Sequence, residues 1–128
     1  MAVHDRTRES RPAWWLVTAL LASVVLAAGL VAQSKRDVTV SARKYGFEPA
    51  EIRVQQDDLV NIVFKADDIA HSFTISDDHY RIDRRAEPGK PESFRFRADK
   101  PGTFEIRCTL TIDDRCRDMR AKLVVVGK

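Results

Sequence analysis

Helical periodicity is what this 128-residue sequence has least of. Beyond its N-terminal quarter, no stretch of useful length repeats apolar residues every three or four positions, which argues against a helical architecture for most of the chain. Charge of one sign is scarce too. The whole chain carries 22 Lys and Arg against 19 Asp and Glu, and from Asp37 onward the two kinds are balanced at 17 each. Without a basic stripe or a Lys/Arg block, nucleic-acid binding has no footing. No Ser/His/Asp set and no pair of carboxylates stands in a matching strand and helix context, so neither an enzyme nor a small-molecule substrate is expected. Internal repeats and low-complexity tracts are missing, and there are only two cysteines, two methionines and three histidines.

One long hydrophobic run is present. Ala13 to Ala32 is 20 residues without a charge, interrupted only by the polar Thr18 and Ser23. At helical rise it spans about 30 Å, the hydrocarbon thickness of a bilayer. Trp14 and Trp15 stand at one end, where amphipathic rings favour the headgroup level. Arg6, Arg8 and Arg11 precede the run, and cationic flanks stay on the cytoplasmic side. The expected organisation is a cytoplasmic segment over 1–12, a transmembrane helix over 13–33, a linker over 34–36 and an exported domain over 37–128. A cleaved signal peptide is the competing reading, because Ala27-Ala28-Gly29 offers a small-residue cleavage site. Either way residues 37–128 leave the cytoplasm, and the anchored form sits on the outer face of the cytoplasmic membrane.

The exported part alternates with period two. Val38, Val40 and Ala42 alternate with Thr39 and Ser41; Ile52 and Val54 flank Arg53; Val60, Ile62 and Phe64 form a third set. Phe73 and Ile75 share parity with His71, Phe94 and Phe96 alternate with Arg95 and Arg97, and Phe104, Ile106 and Cys108 alternate with Glu105 and Arg107. Leu123 to Val126 closes the set. Turn residues separate the runs at Gln56-Asp57-Asp58, Asp67-Asp68, Glu87-Pro88-Gly89 and Asp99-Lys100-Pro101-Gly102. About seven short strands of this kind predict an all-β, two-sheet antiparallel sandwich. Helix is expected only as a short turn near 66–69 or 113–117.

Parity points the Cys108 sulfur and the His71 ring inward at strand ends. Cys116 and Met119 follow Cys108 in a Cys-x7-Cys-x2-Met spacing between two β runs. Imidazole, thiolate and thioether are the ligand types that select copper. His71, Cys108, Cys116 and Met119 are therefore the candidate metal ligands. His79 reads as an exposed loop residue with a lesser claim to be an extra ligand. Asp113, Asp114 and Asp118, interleaved with Arg115 and Arg117, read as a solvated, salt-bridged loop. Three readings of the cysteines stay open: copper thiolates, a structural disulfide in an oxidising compartment, or a pair that switches between the two.

The stretch Asp68-Ile69-Ala70-His71-Ser72-Phe73, then Asp99-Lys100-Pro101-Gly102-Thr103-Phe104 and Cys108, resembles the copper domain of cytochrome c oxidase subunit II and the wider cupredoxin family. Tyr45-Gly46-Phe47-Glu48-Pro49, Ile52 and the Asp57-Asp58-Leu59-Val60 turn are similar to many bacterial cupredoxin domains. The resemblance implies a Greek-key β-sandwich over 37–128 and a copper site. The subunit II loop reads Cys-x3-Cys-x3-His-x2-Met, which falls here on Cys108, Ile112, Cys116 and Met119. Ile112 supplies no second bridging sulfur, so a copper pair is not expected. What is implied is one copper ion held by His71, Cys108 and Met119, with Cys116 standing where the loop His would be. One-electron transfer beside membrane respiratory partners follows as the expected role for a monomeric domain. A copper carrier for oxidase assembly and a metal-free interaction module with a Cys108–Cys116 disulfide are its rivals.

Overall fold

The computed structural model describes residues 33–128. The anchor or signal expected over 13–33 therefore lies outside the described residues, apart from Gln33. Among the described residues no helix is long and apolar enough to cross a membrane.

Among the described residues, nine strands form two sheets. They are β1 (Lys35–Arg43), β2 (Gly46–Glu48), β3 (Glu51–Gln55), β4 (Leu59–Ala66), β5 (His71–Ser76), β6 (Arg81–Ala86), β7 (Glu92–Arg97), β8 (Gly102–Arg107) and β9 (Arg120–Val126). One sheet has the order β2-β1-β4-β7 and the other β3-β9-β8-β5-β6. The expectation of a wholly antiparallel sandwich is corrected by two parallel pairings. β1 runs parallel to β4 from Lys35↔Leu59 to Ala42↔Ala66, and β3 runs parallel to β9. Strand periodicity fixes which face a residue takes but not which way its neighbour runs. β1 also begins at Lys35, inside the segment read as linker.

Alternation builds the core as period two requires. Val60, Ile62 and Phe64 on β4 face Phe73 and Ile75 on β5 and Ile106 on β8, all nearly inaccessible to solvent. Phe47, Phe64, Phe73 and Phe94 form a chain of aromatic contacts with centroids 6.3, 5.8 and 5.3 Å apart. Such tilted and edge-on pairs add to the burial of their area. Gly102 opens β8 at φ 140°, a region side-chain-bearing residues avoid, and a Cβ there would lie 3.4 Å from the Phe104 ring.

The direction of the strands fixes the two poles of the sandwich. β1 enters at the pole where Ser34 and Arg36 both bond the buried Asp58 carboxylate, which also accepts the Gln55 amide. It leaves at the opposite pole, where the Lys44 amide donates to Asp68. β5 starts at this second pole and β8 ends there. The chain between β8 and β9 closes over it through one 3-10 turn, Cys116–Asp118.

Candidate metal centre

Four chain segments bring the candidate residues to the second pole. His71 opens β5, Cys108 follows the last residue of β8, Cys116 opens the 3-10 turn, and Met119 precedes β9. His71 and Met119 are fully buried, and each cysteine is 1% exposed. A ring nitrogen of His71 and the two sulfurs all lie within 4.8 Å of one another. Thirty-seven residues of sequence separate His71 from Cys108, so this convergence is a product of the sandwich. Met119 is tied to the turn by its amide, which donates to the Cys116 carbonyl at 3.1 Å. It packs in the same core cluster as both cysteines.

In this structure Cys108 and Cys116 are joined as a disulfide, with Cα atoms 5.3 Å apart. The bond closes the loop that carries Ile112 on its outside, 56% exposed. The loop is fastened elsewhere as well. The Arg115 guanidinium lies 4.1 Å over the Tyr45 ring, the Arg115 amide donates to Asp113, and Arg115 pairs with Asp118 at 3.7 Å. Asp113 and Asp118 thus act within the loop's own structure, as a salt-bridged loop would use them.

Asp68 governs the histidine. Its carboxylate accepts the His71 Nε2–H at 2.7 Å and the amides of Lys44 and Ile69, each at 2.7 Å. Burial works to raise the Asp68 carboxyl, but the hydrogen bonds from the Lys44 amide, the His71 ring and the Ile69 amide outweigh it and hold it at about 2. With Nε2–H committed to Asp68, the lone pair of a neutral His71 ring sits on Nδ1. That nitrogen is the one buried side-chain polar atom among the described residues with no hydrogen-bond partner. An unpaired polar atom in a dry interior is costly, and an oriented histidine with its other nitrogen on a carboxylate is the arrangement metal sites use. Asp68 was not among the candidates drawn from the sequence, although its place three residues before His71 was in view.

A soft ion suits these donors when the sulfurs are reduced: one imidazole lone pair, two thiolates and a neighbouring thioether. The disulfide form has no thiolate to offer. Cys108 also accepts the Ser72 amide at 3.4 Å, a bond that would stabilise negative charge on its sulfur. His79 takes no part. Its ring bonds Asp99 at 2.6 Å beyond the far end of β5, about 17 Å of strand from His71.

The architecture has solved relatives. A chain of a heme-copper terminal oxidase dimer superposes with a TM-score of 0.62 at 20% identity, over 88% of this chain and 93% of that one. The periplasmic domain of cytochrome oxidase subunit II from Bradyrhizobium japonicum gives 0.62 at 16%, over 77% and 89%. A structure of cytochrome c oxidase subunit II in a mixed-disulfide intermediate with a thioredoxin-like protein gives 0.60 at 15%, over 76% and 85%. At these identities the likeness is one of fold. No curated protein matches the chain. A family model for the cupredoxin-like domain matches residues 13–125, and the chain belongs to that family.

Proposed function

We propose that this protein is an extracytoplasmic, membrane-anchored copper protein. Its reduced form holds one copper ion through His71, Cys108, Cys116 and Met119 for one-electron transfer beside respiratory partners. The observation that carries the reading is His71 itself: its Nδ1 is buried and partnerless, and a nitrogen of its ring is grouped within 4.8 Å with the two sulfurs. A bound copper ion would supply reversible one-electron chemistry. The chain supplies the rest. Asp68 fixes the imidazole and its tautomer, the sandwich excludes water, and the fastened loop limits movement of the donors. The hydrophobic run over 13–32 supports the anchor, and the likeness to a periplasmic oxidase domain supports the side of the membrane.

The disulfide supports a further element of this reading, that the thiol pair switches between a closed, metal-free state and an open, metal-binding one. Opening takes two electrons and two protons from a dithiol, which itself becomes a disulfide. A structural relative is seen in a mixed disulfide with a thioredoxin-like protein. Under the second reading, a permanent disulfide, the domain is a metal-free module.

One experiment separates them. Full-length protein is purified in detergent, treated with a phosphine reductant, loaded with copper and desalted. The proposal expects two titratable thiols before loading, one copper per chain after it, and a sulfur-to-copper absorption band on oxidation to Cu(II). Protein that stays free of copper after its disulfide has opened overturns it in favour of the metal-free module.

A further inference from the structure

Once the Cys108–Cys116 bond opens, Cys116 stays at the site only if something else holds its loop. Both ends of the loop are tied to strands. At its start the Thr109 amide donates to the Ser72 hydroxyl of β5 at 2.8 Å, and the hydroxyls of Ser72, Thr74 and Thr109 contact one another at 3.1, 3.2 and 3.2 Å. Beyond its end Arg120, the first residue of β9, pairs with Glu105 at 3.3 Å and donates to the carbonyls of Arg117 and Met119. The middle is held differently. Among the described residues, the hydrogen bonds and cation–π contacts that residues 110–116 make outside the loop all run to one side chain, Tyr45. Its ring lies 4.1 Å under the Arg115 guanidinium, and its hydroxyl donates to Asp113 at 3.5 Å.

Tyr45 stands on the turn between β1 and β2, beside Lys44. The Lys44 amide donates to Asp68 at 2.7 Å, and Asp68 holds the His71 ring at 2.7 Å. Adjacent residues of one turn thus address the two halves of the donor set: Lys44 the imidazole, through Asp68, and Tyr45 the sulfur of Cys116, through Arg115. Arg115 directly precedes Cys116, so the resting place of its guanidinium limits where that sulfur can go. Stacking on a ring face leaves the guanidinium edge free for water and for Asp118, with which it pairs at 3.7 Å.

We propose that Tyr45 is a positioning residue for Cys116, acting through Arg115: it keeps the reduced loop where the disulfide keeps the oxidised one. The proposal concerns the thiol switch of the functional reading above and rests on copper binding only in its copper arm. In the switch a dithiol gives up two electrons and two protons and becomes a disulfide. The S–S bond of the protein breaks, and each cysteine takes one electron and one proton. The position of that equilibrium follows the effective concentration of the two thiols in the folded, reduced chain. Without Tyr45 the reduced loop swings out part of the time, that concentration falls, and the equilibrium moves toward the dithiol. In the oxidised form the covalent bond holds the loop regardless. A loss of stability shared by both forms leaves the equilibrium where it was.

The test equilibrates full-length protein in detergent with mixtures of reduced and oxidised dithiothreitol and counts thiols by alkylation and mass. Tyr45 is 36% exposed, so replacing it opens no core cavity. Y45L should shift the equilibrium about threefold toward the dithiol, the effect of one exposed cation–π contact. Y45F keeps the ring and should behave as wild type. R115Q should shift it at least as far as Y45L, since it also loses the pair with Asp118, and Y45L/R115Q no further than R115Q. In reduced protein Y45L should weaken copper binding by a similar factor in competition with a chelator, while Y45F should not. A Y45L equilibrium indistinguishable from wild type overturns the proposal. So does a Y45F shift as large as that of Y45L, which would assign the effect to the hydroxyl, or a double-variant shift equal to the product of the singles, which would make the two residues independent. If wild type takes up no copper, the functional reading fails and the dithiol equilibrium alone decides this one.

Discussion

Opening the Cys108–Cys116 bond and then offering copper is the perturbation that bears on most of the structure. The bond joins positions eight apart in sequence. For a loop this short, the chain-entropy relation gives about 2.5 kcal/mol of stabilisation. In a domain of this size each kcal/mol moves the melting temperature by about 4–8 °C, so reduction should lower it by roughly 10–20 °C. The copper reading adds a second step. A ligand at about a hundred times its dissociation constant stabilises the folded state by about 2.7 kcal/mol. Cuprous ion added to the reduced protein should therefore restore most of the loss, because the thiols that reduction frees are the donors it needs. The assay is thermal unfolding followed by circular dichroism at the β-sheet signal, on full-length protein in detergent. It takes three conditions: oxidised, phosphine-reduced, and reduced with cuprous ion. A fall on reduction that copper does not reverse refutes the metal part of the reasoning. A melting temperature unmoved when the thiols are shown to be free refutes the loop-closure part.

Other expectations follow from single residues. Replacing Asp68 by Asn removes the carboxylate that accepts from His71 and should weaken copper binding about 10–100-fold, measured by competition with a chelator. Because the Asp68 carboxyl lies below its ordinary 3.8, at about 2, its contribution to stability is fully present above that ordinary value. It is lost as pH falls toward 2, and an acid titration of D68N should lack that part of the wild-type fall. Cys116→His should move the absorption of Cu(II)-loaded protein toward the blue-copper type, since it supplies a second imidazole beside Cys108 and Met119; an unchanged spectrum would remove Cys116 from the ligand set. A fragment of residues 33–128 should fold as a soluble monomer, and one beginning at Asp37 should be less stable, having lost the bonds of Ser34 and Arg36 to Asp58. Equal denaturant midpoints for the two fragments would show that this clamp contributes nothing.

The core was legible because period-two alternation is a local signal. The placing of Phe104, Ile106 and Cys108 on one buried face, with Glu105 and Arg107 outside, could be read without any partner strand. So could the inward parity of His71 with Phe73 and Ile75. β6 escaped because Arg81-Ile82-Asp83-Arg84-Arg85-Ala86 has no alternation: it is an edge strand, exposed at four of its six positions. β2, three residues long, is too short to show a period. The parallel pairings were hidden because direction depends on how connections cross between sheets, which side-chain pattern does not record. At the second pole, residue types and spacing named His71, Cys108 and Cys116, which the fold brings together. They did not show the state of the sulfurs, since thiolates and a disulfide call for the same two cysteines at the same depth. Asp68 and the Ser72, Thr74 and Thr109 hydroxyls were missed for another reason. They act through hydrogen bonds, most of them between distant segments, that have no sequence signature of their own.

X-ray absorption at the copper edge, on reduced and copper-loaded full-length protein, tests the central claim most directly. The account predicts one copper per chain, with a first shell dominated by two thiolate sulfurs and completed by a single imidazole and the weaker, longer contact of the Met119 thioether. Copper held only by nitrogen and oxygen, or no copper retained after desalting, would contradict it.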